Sequence, residues 1–160
     1  MNATTIRRYV PTDCDRIVEL SLAAWAPVFD SFATILGEDL YRRVHPDWEV
    51  DQANSVRDAL ERNDTWVALV GDAVAGFVNV AFDVAERSGE IYMIAVDPGA
   101  QQQGLASRLT NLALDEMRSR GIDLAIVATG GDPGHAPARR TYEKAGFTGS
   151  PQVWYAKLLT

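Results

Sequence analysis

The spacing of hydrophobic and polar positions predicts a strand and several helices in the first sixty residues. Alternation in "TIRRYV" predicts a short strand, followed by a turn and a helix that ends near Trp25. Residues 26–63 are less regular. They predict one or two helices, a break at Pro46 and a further helix over residues 49–63.

The central part of the chain has the alternation of a sheet. "TWVALV" and "VAGFVNVAF" predict two antiparallel strands joined by a hairpin turn at Gly71-Asp72. "EIYMIAV", residues 90–96, is nearly all apolar and predicts a strand that is buried on both faces. Apolar residues then recur at helical spacing over residues 105–117, which predicts a helix opened by Gly104.

The remaining pattern completes an α/β arrangement. "IDLAIVAT", residues 122–129, predicts another buried strand, so that strand, helix and strand form a right-handed crossover between parallel strands. A loop rich in glycine and proline runs to His135, and a helix with Pro137 in its first turn follows. "QVWYAKLL", residues 152–159, predicts a final strand. The order predicts a single domain over residues 1–160, with helices on the faces of a mixed sheet.

The composition narrows the class of partner. The formal net charge is −7 and the Lys and Arg residues are scattered, so we expect no nucleic acid and no membrane as partner, and a cationic partner fits better. The chain has one cysteine, Cys14, and two histidines, which predicts no internal disulfide and no metal site. The N-terminus lacks the apolar core of a signal peptide, and no stretch approaches ~20 apolar residues, so we expect a cytoplasmic protein.

The stretch "IAVDPGAQQQGLASRL", residues 94–109, sets a buried strand before a glycine-bearing turn and a helix. Such a turn leaves backbone N–H groups unpaired at the positive end of the helix dipole, where phosphate binds. The donors lie in residues 102–107, where Gly104 and Ala106 are small enough for a pyrophosphate to reach the backbone. On spacing alone, simple turn chemistry is an equal alternative. The stretch matches neither a P-loop nor a dinucleotide fingerprint.

Two motifs, in this order, resemble those of a known family. V-x-P followed by Q-x-x-G-x-A, within residues 96–106, resembles the acetyl-CoA signature of the GNAT superfamily of N-acetyltransferases. "ARRTYEKAGF", residues 138–147, resembles that superfamily's tyrosine-bearing helix. The resemblance implies an α/β (α+β) fold with a central mixed, mostly antiparallel sheet, a parallel splayed pair of strands and flanking helices. It also implies transfer of an acetyl group from acetyl-CoA, the co-substrate, to a primary amine by direct attack in a ternary complex.

The resemblance further implies where acetyl-CoA binds. The pantetheine would lie in the splay between residues 90–97 and 122–129, and the pyrophosphate would lie against residues 101–107. Gln stands at 101–103, where Arg or Gly is frequent in the superfamily, so phosphate binding would rest on dipoles, with Arg108 as the nearest cation. The implied cofactor-binding residues are Ile94, Ala95, Val96, Gln101, Gln102, Gln103, Gly104, Leu105, Ala106, Ser107, His135, Arg139 and Tyr142.

Acyl transfer to an amine needs a base for the ammonium, a donor for the carbonyl oxygen and an acid for the leaving thiolate. The resemblance implies that Tyr142 is the general acid, that the Ile94 N–H is the oxyanion donor and that Glu90 is the general base. A tyrosine packed under the sheet and a solvated glutamate at a strand end are the structural alternatives. His135, just before the tyrosine helix, could help to deprotonate the amine or could cap the helix.

The acceptor side falls in the irregular residues 25–48, where aromatic and acidic side chains are mixed. This mixture suits a cationic amine on a small molecule or a peptide, but the aromatic residues are equally explained as core. No residue there identifies the substrate, and a homodimer stays open. The alternative function is a non-catalytic acyl-CoA-binding domain on the same fold, and a nucleotide-binding domain outside the superfamily is more distant. The aromatic residues are Trp25, Phe29, Phe32 and Tyr41.

Overall fold

The structure is a computed structural model that describes residues 4–159. Five strands form one sheet in the order β1-β2-β3-β4-β5, in which β1 to β4 are antiparallel neighbours and β5 is parallel to β4. This mixed, mostly antiparallel sheet confirms the predicted fold class, and the hairpin turn at Gly71-Asp72 is confirmed as well. The strands are β1 (Thr4–Arg8), β2 (Asp64–Val70), β3 (Ala73–Asp83), β4 (Ser88–Val96) and β5 (Leu124–Val127).

Helices cover both faces of the sheet. They are α1 (Cys14–Leu36), α2 (Glu38–Val44), α3 (Trp48–Arg62), α4 (Leu105–Ser119) and α5 (Ala136–Lys144). On one face, α1 and α3 pack against the sheet around Leu20, Val56 and Phe77, which have no exposed surface. On the other face, α4 buries Leu109 and Met117 against the sheet. No helix within residues 4–159 is long and apolar enough to cross a membrane.

The first helix runs further than the sequence pattern predicts. α1 continues past Trp25 and through Pro27 to Leu36. Because Pro27 has no N–H, the carbonyl of Ala23 loses its helical partner, but both residues are exposed and water can replace that bond. Gly37, with a φ of 77°, ends α1, and α2 begins at the next residue.

Two of the predicted strands differ from the structure. β5 is parallel to β4 as predicted, but it is short and not fully buried, because it lies at the edge of the sheet and leaves Leu124 and Ile126 about half exposed. The final strand predicted over residues 152–159 is wrong, since that segment has no regular structure and leaves Trp154 and Tyr155 largely exposed. Alternation marks a segment that suits a sheet, but a strand forms only where a neighbouring strand pairs with it.

Candidate functional site

A gap opens beside β4 because its parallel partner is short. β4 and β5 pair from Ser88 with Leu124 to Ile91 with Val127, where β5 ends. β4 continues to Val96, and none of the described strands lies beside this last part on the β5 side. At Tyr92 the register between β3 and β4 shifts by one residue, a β-bulge that increases the local twist.

The backbone of β4 directs polar groups into this gap. The N–H of Asp97 donates to the carbonyl of Ala75 at 2.8 Å, which makes these two residues a hydrogen-bonded pair of the antiparallel ladder. Hydrogen bonds alternate along such a ladder, so the N–H and C=O groups of Ile94 and Val96 point away from β3. They are therefore directed toward the gap.

The loop between β4 and α4 adds a second set of donors. Gln102 and Gly104 both have left-handed backbones, with φ of 62° and 77°, and α4 begins at Leu105. A Cβ added at Gly104 would meet nothing within 4 Å, so the space in front of the helix is open. The first N–H groups of α4 have no carbonyl of their own helix to bond, and they face a region where an anion is favoured.

The loop between β4 and α4 is bound to α1 through Asp97, and the side chain of Arg108 is hydrogen-bonded to β1. The Asp97 carboxylate accepts from the Gly99 N–H at 2.8 Å and pairs with Arg16, and these two contacts hold the pKa of Asp97 below its usual value. The Arg108 guanidinium donates to the carbonyl of Thr4 at 3.2 Å. With Arg108 bound to the sheet, backbone dipoles are the main attraction for an anion at the start of α4.

These elements enclose one cavity of about 680 Å³. It extends from the α4 N-terminus along β4 to α1 and α5. Most of the residues predicted to bind acetyl-CoA line it: Ile94, Ala95, Val96, Gln101, Gln102, Gly104, Leu105, Ala106, Ser107, His135 and Tyr142. The sequence analysis did not predict the contributions of Tyr92, Gln52 and Arg140 to this lining.

Tyr142 lines this cavity and is 7% exposed. Burial raises its pKa to about 12, so the hydroxyl keeps its proton at neutral pH. Its ring packs edge-to-face on Phe147, with 6.0 Å between the ring centroids. The ring is thus part of the core, while the residue as a whole borders the cavity.

Three residues that the resemblance assigns to cofactor binding or catalysis lie outside the cavity lining. Glu90 is opposite Ala81 and Ile126 in the sheet, and neither it nor Gln103 lines the cavity. The Arg139 guanidinium donates to the carbonyls of Gly130, at 2.6 Å, and Asp132, at 2.8 Å. Arg139 therefore holds the loop before α5, and Arg140 is the arginine that faces the cavity.

The aromatic residues of α1 and α2 form a packed cluster rather than a cavity wall. The rings of Phe29 and Trp48 stack at 4.2 Å, and Phe32 stacks on His45 at 5.4 Å. Burial lowers the pKa of His45 within this cluster. Of the aromatic residues predicted for the acceptor side, Trp25 lines the cavity, and Phe29, Phe32 and Tyr41 are half-buried in this cluster, outside the main core.

Asp132 is a functional candidate that sequence reasoning missed. Its buried carboxylate pairs with the ring of His135, at the end of the glycine-rich loop. The signal in the sequence is the D-x-x-H spacing directly before a helix, which allows the Asp to cap the turn that carries the His. Within residues 4–159, no group of three or more His, Cys, Asp or Glu side chains is arranged to hold a metal ion.

Comparison with known proteins identifies the family of this arrangement. The model of the acetyltransferase (GNAT) family matches residues 29–147. The chain belongs to this family. Its fold also matches solved GNAT structures. A protein of the GNAT acetyltransferase family from Desulfovibrio desulfuricans is 25% identical, with a TM-score of 0.69, and the match covers 93% of this chain and 87% of that one. PaiA N-acetyltransferase from Thermoplasma acidophilum, solved with coenzyme A, shares the fold at 16% identity and a TM-score of 0.66, over 91% of this chain and 90% of that one.

Several sequence relatives of this GNAT chain are mycothiol acetyltransferases. The one from Beutenbergia cavernae is 49% identical over 61 residues, which are 38% of this chain and 20% of that protein. The one from Nocardia farcinica is 33% identical over 115 residues, covering 63% of this chain and 37% of that protein. The matches thus span between a fifth and just over a third of the length of these two relatives.

Proposed function

We propose that this GNAT chain is an N-acetyltransferase that transfers the acetyl group of acetyl-CoA to a primary amine while both substrates are bound. The observation that carries the proposal is the single cavity that joins the open side of β4, the start of α4 and Tyr142. The thioester and the phosphates of acetyl-CoA would both lie in this one cavity, and a proton donor would border it. Direct attack needs such an arrangement, since the amine and the thioester must meet without an enzyme nucleophile between them.

The residues present fit acetyl-CoA. The amide groups of a pantetheine arm need backbone partners, and the N–H and C=O groups of Ile94 and Val96 point into the gap beside β4. A pyrophosphate needs converging N–H groups, which Leu105, Ala106 and Ser107 offer in front of the open space at Gly104. The same N–H of Ile94 is our candidate donor for the carbonyl oxygen as it becomes negative.

Tyr142 is our candidate general acid. Its hydroxyl is protonated at neutral pH, so a proton is available for a departing thiolate. The acceptor is proposed to be a small-molecule or peptide amine, consistent with relatives named for mycothiol and with a structural neighbour named for aminoglycosides. We also propose that the protein is cytoplasmic.

The experiment is an acetylation screen. Purified protein is mixed with acetyl-CoA and a panel of amines that includes polyamines, aminoglycosides, amino acids and lysine peptides, and free thiol and acetylated product are both measured. We expect at least one amine to give product and thiol in equal amounts. Binding of acetyl-CoA without product from any amine would overturn catalysis and favour the non-catalytic acyl-CoA-binding alternative. Thermal protection by ATP or NAD but not by acetyl-CoA would overturn the cofactor assignment too.

A further inference from the structure

His135 and Asp132 form an acid–base pair at the wall of the cavity. The Nδ1 atom of His135 hydrogen-bonds the carboxylate of Asp132, and the backbone N–H of His135 reaches the same carboxylate at 3.3 Å. The side chain of Asp132 is 5% exposed and that of His135 is 18% exposed. The carboxylate is therefore buried behind the imidazole, and the imidazole borders the cavity.

The surrounding chain is built to hold this pair. The Gly134 N–H donates to the Ser31 hydroxyl oxygen at 3.3 Å, and a hydrogen bond from Ser31 to Asp132 helps to hold the carboxylate ionised. Burial alone would raise the pKa of Asp132, but His135 and Ser31 bring it below its usual value. A Cβ at Gly130 would lie 2.5 Å from Nδ1 of His135, so only glycine leaves room for the pair.

The hydrogen bond to Asp132 fixes the state of the imidazole. A carboxylate only accepts hydrogen bonds, so in the neutral ring the proton resides on Nδ1. The lone pair then resides on Nε2, which has no hydrogen-bond partner among residues 4–159. An Asp that holds a His in this way orients the ring and stabilises the cation that forms when Nε2 accepts a proton.

Among the described residues that line the cavity, His135 is the only ordinary base. None of the described residues that line the cavity is Asp or Glu, and the arginine among them, Arg140, offers only hydrogen-bond donors. His135 directly precedes α5 and Tyr142 follows seven residues later, about two helical turns, so the two side chains share one face. A base and an acid thus border the same space.

We propose that Nε2 of His135 is the general base that deprotonates the acceptor ammonium, and that Asp132 is the positioning residue that orients it. This proposal rests on the proposed acetyltransferase function and assigns its base. The groups that face the imidazole are Asp132 on its own loop and Phe32 from α1, whose ring centroid is 5.9 Å away. The Arg139 guanidinium of α5 is bound to the loop carbonyls.

The proton balance of the reaction is complete with these residues. Nε2 of His135 takes one of the three ammonium protons and later releases it to water. The freed nitrogen lone pair forms the bond to the acetyl carbon, and the carbon–sulfur bond breaks with its electron pair on sulfur. Tyr142 gives its hydroxyl proton to that sulfur and regains a proton from the nitrogen as the amide forms. The third proton stays on the amide, so the products are an amide, a free thiol and one proton.

The first test is the pH dependence of kcat/KM with an amine identified in the screen. We expect His135→Gln to lower kcat/KM near neutral pH by about 10²-fold, with a smaller loss at alkaline pH where free amine is abundant. We expect Asp132→Asn to lower kcat/KM near neutral pH as well, since the imidazole loses the carboxylate that orients it. Asp115→Asn is the matched control, because Asp115 is an exposed carboxylate of α4 that is paired with Arg118. It should leave kcat/KM unchanged at every pH.

The second test needs no substrate. The chain has two histidines, so ring ¹⁵N shifts report His135 directly and His45 serves as an internal control. We expect the neutral ring of His135 to carry its proton on Nδ1, and Asp132→Asn to move the proton toward Nε2 without changing His45. An Nε2-protonated ring in the unsubstituted protein would overturn the proposal.

The kinetic outcomes separate this proposal from the proposed function. If the unsubstituted protein acetylates an amine, and folded His135→Gln protein keeps kcat/KM within about threefold of it, the base assignment is overturned while the function stands. If both variants have a lower Tm or bind acetyl-CoA more weakly but keep kcat/KM unchanged at every pH, the pair has a structural role. This result also overturns the base assignment. If the unsubstituted protein acetylates no amine, both the proposed function and the base assignment are overturned.

Discussion

The side-chain amide of Gln101 donates a hydrogen bond of 3.1 Å to the carbonyl oxygen of Val96. This bond folds the loop after β4 back onto the strand that it leaves. It occupies one of the two lone pairs of this carbonyl, which points into the gap. Gln101 therefore shapes the loop from within, which differs from the direct phosphate contact that its place in the acetyl-CoA signature first indicates.

Gly104 should be essential for acetyl-CoA binding. Gly104→Glu places a side chain and a negative charge in the open space at the start of α4, so we expect acetyl-CoA binding to be lost in calorimetry while the protein stays folded. Gly121→Glu is a matched control, because Gly121 has nearly the same backbone, with a φ of 74°, and open space at the other end of α4. Equal affinity in the two variants would remove the phosphate-binding assignment.

The elements that local patterns determine could be predicted from the sequence. The hairpin of β2 and β3, the helix opened by Gly104 and the parallel crossover all depend on turn residues and periodicity close in the chain. The extent of α1 beyond Pro27 and the missing strand at residues 152–159 could not be predicted. Both depend on which distant groups, or water, satisfy the backbone, and periodicity contains no information about that.

Some parts of the candidate site could likewise be predicted from the sequence, and others could not. The β4–α4 turn and Tyr142 could be predicted because their motifs are contiguous in the sequence. The pairing of Asp132 with His135 and the turn of Arg139 toward the loop carbonyls depend on side-chain directions that spacing does not give. For the aromatic residues of α1, the sequence could not decide between cavity wall and core, because either place needs the same apolar face.

Glu90 is the alternative candidate to His135 for the general base. It faces Ala81 and Ile126 in the sheet and does not line the cavity, so we expect Glu90→Gln to keep kcat/KM within about threefold at every pH. The measurement is the same pH profile as for His135→Gln. A loss that is largest at low pH would return the base to Glu90.

Asp13 should make the stability depend on pH. Its carboxylate, 8% exposed, accepts from Arg7 at 2.7 Å and from the Val10 N–H at 3.0 Å, and the Arg7 hydrogen bond, against an opposing effect of burial, lowers its pKa. A carboxyl with a lowered pKa stabilises the fold above its unfolded value of about 3.9, and that contribution is lost as the pH falls through the folded pKa.

Asp13→Asn should therefore reduce the free energy of unfolding at pH 7 by about 1–2 kcal/mol, and this difference should shrink as the pH falls below about 4. Denaturant titrations from pH 7 to pH 3 at constant ionic strength measure it. Asp115→Asn, at an exposed ion pair, is the control and should have almost no effect. A difference that stays constant with pH would show that Asp13 contributes by packing rather than by its charge.

Tyr142→Phe separates packing from chemistry at the cavity. The substitution keeps the ring that packs on Phe147 and removes only the hydroxyl, so Tm and acetyl-CoA affinity should hold. If that hydroxyl protonates the leaving thiolate, kcat should fall by about 10²-fold, the usual scale for a general acid. Steady-state kinetics on the best amine measure kcat, and single-turnover kinetics show whether product release masks the chemical step.

A purely structural tyrosine would instead lower Tm or have no effect. A chemical step within about threefold of the unsubstituted protein's would remove Tyr142 from the reaction and leave the thiolate to be protonated by water.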